Sequence, residues 1–444
     1  AAFHRAQPEL GRVGLLGAEA FVGQHPWAKD VRVAINFEAR GTTGPSLMFE
    51  TGTNNGAVVR EWASAVPNPA GSSLTYEVYK RLPNDTDFSV FRRLGIAGLN
   101  FAFIGNWRGY HTPMDSPRNL DPRSLQHHGA AALALMQRFG SMDLAGIKQR
   151  DAVYFSVPVL RRVVRYSTVF VLPLAGLGII LFAWVTVSAW RRLNTSIGGL
   201  VLGLIVWLVL TGLAGLGGYY FSRWIGWVHA RWLSPGNLAM SQPYGLALVM
   251  IIVTVGVFLY ALLRRKFAAQ TLALSGLFLC LLATCAASFA VPGGSYVLLW
   301  PLVGSLLAVT QLSSAIDRRA TVGVTRTIII GALGLPSTLI LWPLASMLFQ
   351  SLGLTPVSGA AVGLLTVLAL FTLAPQVDLL ADSKRLWPAG VALIATLVSL
   401  GYGMTTTKFS GAQPRTINVI YALDADKHEA YWVARAPDRL PWLR

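Results

Sequence analysis

Between residues 166 and 404 the sequence is dominated by eight apolar segments, each close to the roughly 20 residues that a helix needs to cross a bilayer. They run at about 166–190, 196–221, 243–263, 268–291, 294–314, 327–351, 356–377 and 386–404, and none carries Asp, Glu, Lys, Arg or His in its central part. A helix satisfies its own backbone hydrogen bonds, so runs such as LVLGLIVWLVLTGLAGLGGYY span lipid rather than fold as a soluble core. Few alternatives survive this constraint. The chain is expected to be a multi-pass integral membrane protein whose other segments attach to a helical bundle.

The charges between the segments predict an orientation. The loops after segments one, three, five and seven hold ten Lys and Arg residues, among them Arg191, Arg264, Lys266, Arg318 and Lys384. Those after two, four and six hold only Arg223 and Arg231. Cytoplasmic loops carry the basic excess. The first 165 residues and the C-terminal tail are therefore expected on the periplasmic or a lumenal side. The usage of Ala, Arg and Trp suggests a bacterial inner membrane. A net charge of +17 raises the question of nucleic acid, but much of it sits in these short loops and no nucleic-acid motif accompanies it. The two cysteines, Cys280 and Cys285, fall inside the fourth segment, where packing is the expected role.

Upstream of the bundle the periodicity changes. GLLGAEAFVGQH reads as a short helix, VRVAINFEAR (31–40) and SLMFETG (46–52) as strands, and 55–65 and 72–81 as helices. LNFAFIG (99–105) is a further strand, and 120–142 a long helix with Pro122 in its first turn. Alternating strands and helices imply an α/β layer fold with a central sheet. Residues 1–12, AAFHRAQPELGR, have neither an apolar export segment nor any periodicity, so the sequence reads as the later part of a longer protein. At the other end, TINVIYALDA and EAYWVARA flank a DKH turn and predict a β-hairpin.

Two features of the α/β part carry chemistry. Glu38 closes an apolar strand, where a carboxylate is costly without a partner; on the residues alone it is as readily an Arg-paired structural group as a functional one. His111, in the loop Tyr110-His111-Thr112-Pro113-Met114-Asp115, has the makings of a metal ligand backed by a carboxylate, or of an ordinary surface histidine. His127 and His128, on the next helix, read as structural.

GLLGAEAF (14–21), HPW (25–27), INFEARGTTG (35–44), NDTDFSVF (84–91), YHTPMDS (110–116) and LDPRSLQHHG occur in an order and spacing that resemble a known family. It is the vacuolar membrane protease and endoplasmic-reticulum metallopeptidase branch of the di-zinc exopeptidases, whose members include aminopeptidase Y and glutamate carboxypeptidase. The eight segments and the tail 414–438 also resemble the membrane half and outer domain of that branch. The resemblance implies a partial zinc-peptidase domain with a mixed sheet, an all-α membrane domain and a short β tail. By it, Glu38 is a ligand of the first zinc and His111 of the second. Tyr110, Asp85 and Asp87 shape the substrate pocket together with Thr86 and Phe88, and Asp115 holds the loop from behind. In such enzymes two zinc ions polarise the peptide carbonyl and acidify a bridging water, whose proton passes to the first Glu of a Glu-Glu pair.

Gly11 and Arg12 stand where that Glu-Glu pair is expected, with Glu9 as the nearby carboxylate, and the upstream His-x-Asp and bridging Asp have no counterpart. Two ligands of five remain, and a zinc site uses three or four. The expectation is a membrane-anchored aminopeptidase-type zinc peptidase acting on peptides, catalytically impaired as the chain stands. The competing reading is a non-catalytic membrane scaffold or transporter with a degenerate peptidase lobe. The expected boundaries are an atypical start at 1–13, the peptidase part at 14–150, a linker at 151–165, the membrane domain at 166–404 and the tail at 405–444.

Overall fold

The computed structural model describes residues 15–110, 112–193, 196–229, 242–317, 323–380, 386–406 and 419–434. Contacts divide the chain into two units. One holds the residues up to Ile179 with Leu282–Leu299; the other holds Ile180–Leu281 with the remainder from Trp300.

In the first unit, α1 (Leu16–Gln24) leads into β1 (Val33–Ala39), β2 (Leu47–Thr51), α2 (Gly56–Ala65), β3 (Ala70–Gly71), α3 (Ser73–Tyr79), α4 (Asp87–Arg93), β4 (Ala97–Phe103) and α5 (Pro122–Ser141). The strands form one mixed sheet in the order β1-β4-β2-β3, with β1 parallel and β2 antiparallel to β4. Helix α5 begins as its sequence predicts: Asp121 caps it by accepting from the Arg123 N–H, and Pro122 takes a first-turn position where its missing N–H costs nothing. Its buried residues Ala131, Leu135 and Phe139 recur every fourth position and pack one face of the sheet. The core on that face joins Met48, Leu99 and Phe101 of the sheet to Val58, Val59 and Trp62 of α2 and to Tyr154.

Tyr154 belongs to a hairpin, β5 (Ala152–Val157) and β6 (Arg162–Ser167), in the stretch whose sequence suggests a linker at 151–165. The run AVYFSV is buried along most of its length, and its short apolar pattern is where strand and connector are hardest to tell apart. Tyr154 meets Trp62 edge-on at 5.9 Å. The same unit holds the turn 291–295: Ser73 Oγ donates to the Gly293 carbonyl at 2.5 Å, and Phe155 stacks on Tyr296 at 4.5 Å.

The helices that follow are α6 (Val171–Leu193), α7 (Ile197–Val228), α8 (Gln242–Leu263), α9 (Ala269–Ala290), α10 (Tyr296–Asp317), α11 (Val324–Leu333), α12 (Leu335–Leu352), α13 (Pro356–Thr372), α14 (Ala374–Leu380) and α15 (Trp387–Thr406). Among the described residues, seven stretches are long and apolar enough to cross a membrane, and an eighth arises if the bent pair α13–α14 is one span. The segment expected at 196–221 runs on to Val228 and takes in Trp224 and Trp227. His229 is buried at its end and hydrogen-bonds the Tyr244 hydroxyl at 2.6 Å. Within the second unit, α7 and α13 approach backbone to backbone through small residues: Ala214, Gly218 and Ser222 face Gly359 and Gly363. Asp378, at the end of α14, pairs with Arg264 Nε at 2.5 Å and accepts from Tyr260 Oη at 3.0 Å. Neither cysteine forms a disulfide. The tail forms the expected hairpin, β7 (Val419–Asp424) antiparallel to β8 (Glu429–Ala434).

Candidate active site

The C-terminal ends of two adjacent parallel strands, β1 and β4, define the site, in the place where open α/β sheets bind their ligands. The loops leaving them are stitched together. Thr42 and Thr43 N–H both donate to the Gly105 carbonyl, Gly105 N–H donates to Thr43, and Asp121 N–H donates to Thr42. Asn106, in the left-handed region at φ 54°, donates its amide to Thr42 Oγ1 at 2.7 Å, and Ser124 Oγ donates to the Gly44 carbonyl.

Glu38 sits four residues before Thr42 of this junction, half-buried, with Oε1 accepting from Asn36 Nδ2 at 3.1 Å. Its carbonyl is gripped by His128, whose Nε2 lies 3.0 Å away while Nδ1 lies 2.5 Å from Ser46 Oγ. A carbonyl only accepts, so Nε2 carries the proton and Nδ1 receives the Ser46 hydroxyl. Burial pushes the His128 imidazole below the ordinary histidine range, against the pull of the Glu38 carbonyl, and the ring packs against Phe37 and Phe103. His127 works alongside it, accepting from the Ser46 N–H and reaching the Asn68 carbonyl at 3.1 Å. Both are structural, as expected; together they hold the β1–β2 connection onto α5.

A polar row crosses the sheet behind Glu38. Asn36 Nδ2 donates to Asn100 Oδ1 at 3.0 Å, and Asn100 Nδ2 donates to Glu50 Oε2 at 2.8 Å and to Thr86 Oγ1 at 2.9 Å. Glu50 and Asn100 are fully buried. Arg92 Nη1 lies 3.2 Å from Glu50 Oε1, an ion pair without hydrogen-bond geometry. Burial drives the Glu50 carboxyl above its ordinary range, opposed by the Asn100 hydrogen bond and the Arg92 charge and reinforced by Asp85. Sequence reasoning singled out none of Asn36, Glu50 or Asn100. One signal was available for Asn36: it lies two residues from Glu38, hence on the same face of β1. Glu50 offered none, because strict alternation puts it on the Met48 face. A β-bulge between Met48 and Glu50 shifts the register, so that Met48 pairs with Phe101 in the apolar core while Glu50 pairs with Asn100 on the polar face.

The other candidates are placed as follows. Asp87 is the exposed first residue of α4, whose N-cap Thr86 forms a capping box with Ser89. Asp85 precedes it, half-exposed, 3.8 Å from Arg93. Tyr110, 43% exposed, ends the short 3-10 turn Trp107–Gly109 that follows β4. Asp115 is exposed in the same loop, its N–H donating to the Thr112 carbonyl. Of the expected pocket residues, Thr86 touches the polar row, through Asn100. His111, Gly11 and Arg12 lie outside the described residues.

Residues 9–136 match Peptidase family M28. This segment is a peptidase family M28 domain. Among relatives, endoplasmic reticulum metallopeptidase 1 of Homo sapiens is 37% identical over 150 residues, covering 32% of this chain and 17% of the relative. The Mus musculus protein of the same name is 37% identical over 132 residues, covering 29% and 15%. A vacuolar membrane protease of Candida albicans (strain WO-1) is 34% identical over 143 residues, covering 32% and 16%. The chain thus spans about a sixth of the length of the curated relatives it matches. No solved structure matches it. Family M28 is in general zinc-dependent. Among the described residues, however, no three His, Cys, Asp or Glu side chains are grouped to hold a metal ion, and Glu38 is the one expected ligand present. The described part of the M28 domain does not by itself fit a zinc pair.

Proposed function

We propose that the chain is a membrane-anchored, zinc-dependent exopeptidase of the aminopeptidase type that acts on peptides, with its peptidase part on the non-cytoplasmic side of a membrane. The observation that carries the reading is the M28 match over residues 9–136, followed after the β5–β6 hairpin by apolar helices of membrane-spanning length. Glu38 at the end of β1, fixed through its backbone by His128 and through its carboxylate by Asn36, has the anchoring that a metal ligand needs. His111 would be the ligand of the second ion, and Tyr110, Asp85 and Asp87 would border the peptide. Asp115 would hold the loop that carries Tyr110. The excess of Lys and Arg in alternate loops supports the orientation, and residue usage supports a bacterial inner membrane. Gly11 and Arg12, at the place of the family's Glu-Glu pair, support impaired turnover in this chain.

The test is zinc content of the purified, detergent-solubilised chain together with hydrolysis of an aminoacyl reporter, with and without chelator. Substoichiometric, easily stripped zinc that falls further in Glu38→Ala, with slow turnover, is the expected result. Two tightly held ions with fast, chelator-sensitive hydrolysis would overturn the impairment. No zinc and no hydrolysis would favour the non-catalytic scaffold.

A further inference from the structure

Two of the spans are broken, and the breaks are locked to each other. The stretch Val324–Leu352 changes from α11 to α12 at Gly334, and the chain bends by 71° between α13 and α14. Pro336 and Pro375 stand just past these points, and neither has an N–H with which to continue the helical ladder. In lipid any carbonyl left without a helical donor at such a break must find one elsewhere. Gln376 Nε2 donates to the Ile330 carbonyl at 2.7 Å, and the Ser305 hydroxyl donates to the Thr372 carbonyl. Each break is thus satisfied by a side chain from another helix. Discontinuous helices of this kind line the binding sites of many membrane proteins.

Beside them lies a cavity of about 330 Å³ enclosed by α8, α12, α13, α14 and the start of α15. Val253, Val257, Leu341, Leu370 and Leu373 form much of its wall. Of the hydroxyls in the lining, Thr338 donates to the Leu335 carbonyl and Thr366 to the Val362 carbonyl, so both are spent on their own helices. Ser337 is different: it is 1% exposed and its Oγ has no hydrogen-bond partner among the described residues. Trp342 and Leu380, 60% and 52% exposed, bring part of the wall to the protein surface.

These properties select the occupant. Water needs two to four polar partners, and this lining offers one unspent hydroxyl. A volume at the lower end of ligand pockets, apolar walls and a lateral opening suit a hydrocarbon chain arriving from the bilayer. We propose that this cavity binds one chain of a membrane lipid, with a carbonyl or hydroxyl oxygen of that lipid accepting a hydrogen bond from Ser337. The site is separate from the peptidase part and does not depend on its activity.

A photoactivatable palmitic acid with a mid-chain diazirine, added to the full chain in phosphatidylcholine nanodiscs and mapped by mass spectrometry, tests the proposal. Label is expected on α12 and α13–α14, competed by unlabelled palmitic acid about five-fold better than by hexadecane, the ratio a single hydrogen bond supplies. Ser337→Ala should bring that ratio close to one. Ala369→Phe, which fills the cavity, should abolish the local label in protein whose thermal transition is retained. If that variant does not fold, the Ser337→Ala competition decides alone. Label spread over all lipid-facing helices in proportion to exposure, or a competition ratio unchanged by Ser337→Ala, would overturn the assignment.

Discussion

The Asn36–Asn100–Glu50 row joins a fully buried carboxylate to the proposed metal ligand through two amide side chains. Asn100 is its centre, because one Nδ2 serves both Glu50 and Thr86 while Oδ1 takes Asn36. Asn100→Leu keeps the number of side-chain heavy atoms but takes one hydrogen-bond partner each from Asn36, Glu50 and Thr86, and a buried polar group deprived of its partner costs about 1–3 kcal/mol. A loss of at least about 2 kcal/mol is expected in detergent unfolding, with weaker zinc retention because Asn36 no longer holds Glu38 from a fixed position. Glu50 gives a pH signature. Its carboxyl is raised above the ordinary range, so the fold binds a proton that the unfolded chain has already released. The sign follows: the contribution of Glu50 to stability is greatest at acid pH and declines as pH rises from the ordinary glutamate range through the raised value. Glu50→Gln cannot ionise, so its stability relative to the parent should improve steadily over that window. A flat difference between pH 4 and 8 in parallel thermal scans would show that Arg92 fully compensates the charge.

Among the elements, helix α4 reaches the polar row because Gly98 lets it. A methyl on Gly98 would meet first the Ala34 carbonyl of β1 and then the Phe88 ring at 2.5 Å, so both the β1–β4 pairing and the seat of α4, with Thr86 and Arg92, would be disturbed. The contact of α7 with α13 in the membrane unit follows the same rule more tightly. A side chain at Gly359 would run into the Ser222 hydroxyl and the Gly218 carbonyl, and the carbonyl is a backbone obstacle that cannot swing away. Overpacking of this kind costs about 1–3 kcal/mol. Gly359→Leu should lower the unfolding midpoint in an SDS titration by a corresponding amount, whereas Gly390→Leu, where a side chain meets open space, should leave it in place.

For the molecule as a whole, the α/β part is not simply tethered by its linker. Ser73 Oγ donates to Gly293 and also receives the Tyr154 N–H, so one hydroxyl ties α3, the β5–β6 hairpin and the turn between the fourth and fifth candidate spans. Arg81 Nη2 adds a contact to the Ala290 carbonyl at 3.4 Å. Ser73→Ala removes these bonds and exposes nothing new. Faster amide exchange is expected in both the hairpin and the turn at 291–296, by about five- to tenfold for a bond worth about 1 kcal/mol, while exchange in α13 stays unchanged. Exchange that rises in the hairpin alone would mean that the turn is held by the Phe155–Tyr296 stack instead.

By itself the sequence determined the class of the molecule. Apolar segments of spanning length dictate helices in lipid because backbone groups have no other partner there, and the 3.6-residue and two-residue periods located α2, α5, β1, β2, β4 and the tail hairpin. It also brought out Glu38, since a carboxylate ending an apolar strand is conspicuous on chemical grounds. What it could not supply were features created by long-range contact. The β5–β6 hairpin reads as a connector until Tyr154 is seen against Trp62. The two breaks in the spans, legible only as scattered prolines, acquire a role once Gln376 and Ser305 meet the freed carbonyls. Glu50 is the sharpest case: alternation assigns it to the Met48 face, and a bulge visible only in the assembled sheet turns it toward Asn100. Local patterns decide which backbone conformation each segment favours. Which polar groups end up buried together is decided by tertiary register, because a shift of one residue in a strand exchanges its two faces.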